Sequence, residues 1–283
     1  MMDFSPSAEQ TELVERARAF TKEFIGPNSM TYDRSGEFPR DICREAFKQG
    51  FMNPHVPAEY GGSPHTVLDH CMVLEEMATR CSGIATAIDA NGLSQYPVIL
   101  AGTDDQKRRF LAPMTEELMF SAYAVTEPEA GSNVAALKAT AEPIEDADGN
   151  ITHYRLNGTK TWISNSPIAD LAVVWAKSAA HDNQIRGFIV ESKMPGFSAP
   201  KIEGKLSLRA SVTGMIMMDG VEVPEDAIFP EVEGLKGPFS CLNRARYGIS
   251  WGSMGAAEFC WHAARQYGLD RKQFGKPLAQ TQL

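Results

Sequence analysis

Two short stretches carry the side chains best suited to chemistry. The first is Tyr123-Ala124-Val125-Thr126-Glu127-Pro128-Glu129-Ala130-Gly131-Ser132-Asn133. It reads as a strand that delivers a threonine hydroxyl, followed by a turn at Pro and Gly. Gly131 lets the backbone approach a ligand closely. Ser132 and the neighbouring amides are then able to donate to a phosphate oxygen. Taken alone, the stretch reads first as an ordinary β-turn. The second stretch is Leu156-Asn157-Gly158-Thr159-Lys160-Thr161-Trp162-Ile163-Ser164-Asn165. Its Asn-Gly pair reads as a hairpin turn. Strand alternation then puts Trp162 and Ser164 on one face. An indole can wall an aromatic cofactor and a hydroxyl can bond a ring nitrogen. Taken alone, a Trp in a β-core serves as well.

Other chemistries lose their usual support. No G-x-G occurs, nor a G-x-x-x-x-G-K-[ST] or an H-E-x-x-H. The five cysteines form no C-x-x-C pair, so the sequence predicts reduced, mostly buried thiols and no metal site. The net charge of −9 argues against nucleic acid or an anionic membrane as partner. No basic, apolar leader opens the chain and no run approaches a bilayer span. These features place the expected location in bacterial cytoplasm or mitochondrial matrix.

The elements around these stretches change period twice. Ser7 and Gln10 form a capping box, and Leu13, Ala17, Phe20 and Phe24 share a helical face. Gly26-Pro27 is expected to end that helix. Helices follow around Ile42–Phe47 and Leu68–Glu75, separated by the turn Glu59 to Pro64. Ser82 to Ala101 is apolar almost all round, as in a buried helix. Thr103 with Gln106 caps another helix running to about Pro113.

From Met119 to Leu235 short β-rich runs alternate with turn residues, among them the hairpin turn Asp148-Gly149-Asn150. From Pro238 a long helix runs to about Leu269, and a further one begins near Leu278. The expected class is α+β: an N-terminal all-helical domain (1–117), a middle antiparallel β-domain (118–236) and an incomplete C-terminal helical domain (237–283). The last apolar helix has no partner in sequence, so the chain reads as stopping short.

Together these blocks resemble the acyl-CoA dehydrogenase family. The likeness rests on Y-x-V-T-E-P-x-A-G-S from Tyr123, N-G-x-K-x-W-I-[ST]-N from Asn157, and Asp270-Arg271-Lys272-Gln273-Phe274-Gly275-Lys276-Pro277-Leu278. The first half is more similar to medium-chain enzymes and the second half to glutaryl-CoA dehydrogenases. The resemblance implies FAD held by Tyr123, Val125, Thr126, Gly131, Ser132, Trp162 and Ser164. Arg271 and Phe274 would reach the FAD of a neighbouring subunit in a dimer of dimers. Ser132, Leu242, Asn243, Arg246 and Asp89 would meet the acyl-CoA substrate.

The implied reaction is α,β-desaturation of a short- or medium-chain acyl-CoA to its trans-2-enoyl-CoA, with electrons passed to an electron-transferring flavoprotein. The family's catalytic glutamate would lie beyond residue 283 or at Ala245, which accepts no proton. No catalytic residue is therefore assigned, and the chain alone is expected to be inactive. Glu258 reads as a solvated helix face. Ala85 takes the place where glutaryl enzymes carry an arginine, which favours a plain alkyl chain. Asn133 departs from the family's aspartate. Glutaryl-CoA oxidation and a non-catalytic flavin- or acyl-CoA-binding module remain the alternatives.

Overall fold

A computed structural model describes residues 5–63 and 65–281 of the chain. The expected turn residue Pro64 and the terminal Leu283 lie outside the described residues. Helix α1 (Ala8–Phe20) starts at the Ser7 capping box, with Gln10 N–H donating to Ser7 Oγ at 3.2 Å. Such a cap contributes about 1 kcal/mol. The chain does not break at Gly26-Pro27. It widens into a π turn (Thr21–Ile25), tightens into a 3-10 turn (Gly26–Asn28) and runs on as α2 (Ser29–Ser35). Pro27 sits where a new turn begins and needs no backbone donor.

Helices α3 (Arg40–Lys48), α4 (Val67–Ala78) and α5 (Ser82–Ala101) complete the first layer. The helix opened by Thr103 ends sooner than Pro113. It divides into α6 (Asp104–Phe110) and α7 (Ala112–Glu116), Pro113 falling in the first turn of the latter. Phe20, Ile42, Leu74, Met77, Ile84 and Ile88 are all buried in one apolar cluster, which closes α1, α3, α4 and α5 on each other.

The middle region is one curled sheet, ordered β1-β4-β2-β3-β7-β6, with β5 on the other side of β4. The strands are β1 (Ser121–Ala124), β2 (Thr140–Glu145), β3 (Ile151–Ser164), β4 (Leu171–Ser178), β5 (Gln184–Glu191), β6 (Phe197–Ser198) and β7 (Thr213–Pro224). Most pairings are antiparallel, but β4 runs parallel to both β1 and β2. The Asp146–Asn150 turn joins β2 to β3 as expected, with Gly149 at φ 82°.

Asn157-Gly158, in contrast, is no hairpin turn. It lies inside the continuous strand β3, at a register shift against β7. Gly158 adopts φ 139°, and a Cβ there would fall 2.8 Å from the Ala139 Cβ. The Asn-Gly pair thus marks a bulge and a close approach rather than a reversal.

Helix α8 (Lys236–Asp270) lies along α4 and α5. Gly255 allows this, since a Cβ there would stand 2.0 Å from the Glu75 carbonyl oxygen. Met254, Trp261 and Tyr267 leave a second face of α8 exposed. In place of a helix near Leu278, a small hairpin follows, β8 (Lys272–Gln273) with β9 (Lys276–Pro277), and then a 3-10 turn at Leu278–Gln280.

Candidate active site: a cavity between strand bulge and helical floor

A cavity of ≈ 310 Å³ lies where α5, the end of β1, the end of β3 and α8 meet. Its strand wall rests on a buried ion pair. Lys160 is fully buried, and its Nζ donates to Glu127 Oε1 at 2.8 Å and to the Val125 carbonyl at 3.3 Å. Glu127 also accepts the amides of Lys138 (2.6 Å) and Ala139 (2.9 Å). Burial opposes the Glu127 charge, but Lys160 and these amides hold its pKa below the ordinary range. Burial pushes the Lys160 pKa down, against the pull of Glu127. The pair pins the segment after β1 beneath β3, and the Thr161 amide completes the join by donating to the Thr126 carbonyl at 2.9 Å.

A second register shift separates Lys160 from Ile163. At this bulge Trp162 takes φ 59° and is 61% exposed, while Ile163 is buried. Strict alternation therefore fails here. Trp162, Ile163 and Ser164 all line the cavity, because the bulge swings the indole to its rim. A bulky residue in left-handed backbone costs about 1–3 kcal/mol, which the rest of β3 must offset. Thr126 and Ser164 also line the cavity, and neither hydroxyl makes a hydrogen bond among the described residues.

The structure brings together Tyr123, Val125, Thr126, Trp162, Ser164, Leu242, Arg246 and Asp89. The Tyr123 ring lines the wall, but its hydroxyl donates to the Pro238 carbonyl at 3.0 Å and ties β1 to α8. Asn243 lies in the adjoining groove beside Val67 and Tyr247, and accepts from Arg246 Nη1 at 3.1 Å. Gly131 and Ser132 lie outside the cavity, on the exposed turn after the Glu127–Ala130 bridge. Arg271 and Phe274 are remote from it, on the exposed hairpin beyond α8, with the Phe274 side chain wholly exposed. Ala245 lines the cavity and Glu258 does not. Ala85 does not reach it either, being buried in the α1–α5 cluster. Thr86 and Asp89 are the face of α5 that turns inward. Ala85 therefore offers a ligand in this cavity no contact that could select its tail.

The opposite wall is a polar floor. His70 Nε2 lies 3.0 Å from Asp89 Oδ1, and His55 Nε2 lies 2.8 Å from the Tyr96 hydroxyl. The His55 ring stacks on Tyr96 (4.7 Å) and meets His70 edge-on (4.6 Å). Burial, aided by neighbouring His70, pushes the His55 pKa down to about 4. Burial also acts against His70, but the charge and hydrogen bond of Asp89 raise its pKa above the ordinary value. Burial likewise opposes the Asp89 charge, and His70 overcomes it, so the Asp89 pKa is lowered. The Arg244 guanidinium lies 5.6 Å over the Tyr96 ring. A larger hollow of ≈ 500 Å³ opens elsewhere, between Thr21, Arg80 and Phe259, and holds none of the expected residues.

Three acyl-CoA dehydrogenase domain families match the chain in order. The N-terminal domain covers residues 7–117, the middle domain 122–221 and the C-terminal domain 233–283. Among solved structures, a glutaryl-CoA dehydrogenase from Mycobacterium smegmatis in complex with FADH2 is 33% identical, with a TM-score of 0.90 over 98% of this chain and 69% of that one. The butyryl-CoA dehydrogenase from Megasphaera elsdenii is 30% identical, with a TM-score of 0.91 over 99% and 74%. A structure of the electron transferring flavoprotein of Acidaminococcus fermentans matches at 31% identity and a TM-score of 0.91, over 99% and 73%.

This chain belongs to the acyl-CoA dehydrogenase family. Two of the three family blocks reach the cavity from the strand wall, through Tyr123, Val125 and Thr126 and through Trp162 and Ser164, while the third lies on the hairpin beyond α8. The floor carries residues that motif reading passed over: His55, His70, Tyr96 and Arg244. The one legible signal was Asp89, the single charge on α5, which needs a partner when buried. Its partner comes from α4, and nothing in the spacing of the two residues announces the pair. Among the described residues no helix is long and apolar enough to cross a membrane.

Proposed function

We propose that this chain forms the FAD- and acyl-CoA-binding part of an enzyme that desaturates a short- or medium-chain acyl-CoA to its trans-2-enoyl-CoA. One observation carries the reading: the unpartnered hydroxyls of Thr126 and Ser164 flank an exposed Trp162 on one cavity wall. That donor set suits the polar edge of a planar heteroaromatic ring, and the indole suits its face. The likeness to a FADH2-bound relative supports FAD as the ring.

When bound, FAD supplies the acceptor for the β-hydride. Thr126 and Ser164 hold the ring edge, Trp162 shields it from water, and Val125 and the Tyr123 ring floor it. Gly131 and Ser132 offer amides and a hydroxyl toward the pyrophosphate. Arg271 and Phe274 extend toward a second copy in a dimer of dimers, where the arginine fork fits phosphate. Leu242, Asn243 and Arg246 on α8 meet the acyl-CoA, with Asp89 at the floor of the acyl pocket and Ser132 on the exposed turn outside it. Abstraction of the α-proton needs a poised carboxylate. Ala245 provides none, and Asp89 is engaged by His70. The described residues therefore bind and orient without supplying the base, and turnover by this chain alone should be negligible. An electron-transferring flavoprotein is the proposed electron acceptor.

Titrating the chain with FAD and following flavin absorbance tests the binding half. Saturable binding that Trp162→Ala weakens is expected, and no binding of FAD would overturn the reading. Turnover of butanoyl-, octanoyl- and glutaryl-CoA, each with the base-bearing segment of a relative supplied in a fusion, tests the rest. Preference for glutaryl-CoA would replace the alkyl reading with glutaryl oxidation.

A further inference from the structure

The floor holds more polarity than an alkyl tail requires. The rest of the lining mixes apolar side chains such as Leu93, Val125, Ile163 and Ile249 with Thr126 and Ser164 on the strand wall and Arg246 on α8. Asp89 uses Oδ1 for His70, its side chain is 25% exposed, and the residue lines the cavity. Its second oxygen accepts no hydrogen bond among the described residues.

We propose that the floor recognises an acyl thioester whose chain carries a hydroxyl toward its distal end, the hydroxyl donating to the free oxygen of Asp89. This deepens the acyl-CoA reading above and rests on it.

Other tails fit less well. A plain alkyl end would strip water from that oxygen and return no hydrogen bond, a desolvation cost that falls on the substrate. A second carboxylate would face the Asp89 charge directly. An ammonium would enter beside the cationic Arg244, and His70 already takes Oδ1 of Asp89. A hydroxyl is neutral and donates once, which suits a single free carboxylate oxygen. The small volume, ≈ 310 Å³ and shared with the flavin ring, limits the chain to a few carbons past the thioester.

The test is calorimetric titration of the full chain, with and without FAD, using pentanoyl-CoA, 5-hydroxypentanoyl-CoA and glutaryl-CoA. The hydroxylated thioester should bind at least tenfold more tightly than pentanoyl-CoA. That ratio should fall to near one in Asp89→Leu. Asp89→Asn keeps the shape and serves if the leucine variant fails to fold; there the ratio should drop at least threefold. Equal or tighter binding of pentanoyl-CoA, or of glutaryl-CoA, overturns the proposal and leaves the acyl-CoA reading standing. A hydroxyl preference that survives both substitutions overturns it too. If none of the three thioesters binds, the acyl-CoA reading itself falls.

Discussion

The two walls of the cavity spend their polar groups differently. The strand wall buries its charges one layer down, in Lys160 and Glu127, and leaves the Thr126 and Ser164 hydroxyls open. The helical floor faces its charged and aromatic groups to one another, so His55 satisfies Tyr96 and His70 satisfies Asp89. The first arrangement stores rigidity beneath the surface and keeps contact atoms free for a ligand. The second makes the surface its own partner and leaves a single oxygen over. A ligand therefore gains most of its directional bonds from the strand wall and only one from the floor.

Substitutions should separate the walls by size of effect. The largest is expected at Glu127→Ala, which leaves the Lys160 charge buried without its carboxylate. Loss of about 3–5 kcal/mol in urea unfolding is expected. Adding Lys160→Met to that variant should restore much of the loss. Should the single variant melt as the wild type does, the buried pair does not support the strand wall.

The floor should show itself through pH. His55 titrates at about 4 in the fold, against an ordinary value of 6.5, so the unfolded chain binds more protons between those limits. Stability is then complete above pH 6.5 and falls as pH drops toward 4, by up to about 3 kcal/mol. His70 works in the opposite sense. Its raised pKa adds stability below pH 6.5 that is lost as pH rises through the folded value. His55→Gln should flatten the acid limb of a plot of melting temperature against pH, and an unchanged acid limb would show that His55 is not the group responsible.

Smaller effects distinguish strain from contact on the strand wall. Trp162→Gly relieves the left-handed backbone while losing a mostly exposed side chain. Stability should stay within about 1 kcal/mol of wild type. FAD affinity should nonetheless fall about tenfold, read by flavin fluorescence. Smallest of all, Ser164→Ala should shift stability by less than about 0.5 kcal/mol, because its hydroxyl has no partner to lose. It should weaken FAD several-fold, and an unchanged affinity would remove Ser164 from the flavin contacts.

The sequence on its own determined the order of helices, sheet and helix, because burial periodicity is a local property of consecutive residues. It also determined the family blocks around Thr126, Trp162 and Ser164, which lie close together along the chain. Capping boxes at Ser7 and Thr103 were legible for the same reason. Asn157-Gly158 misled, because an Asn-Gly pair serves a bulge as readily as a turn, and the strand across from it makes the choice. Tertiary structure alone decided which face of α5 turns inward, with Asp89 on the cavity and Ala85 in the helical core. It also decided that His55, His70 and Tyr96, from three separate segments, meet in one floor. Contacts between residues far apart in sequence depend on how whole elements pack, and no spacing within a single element encodes them.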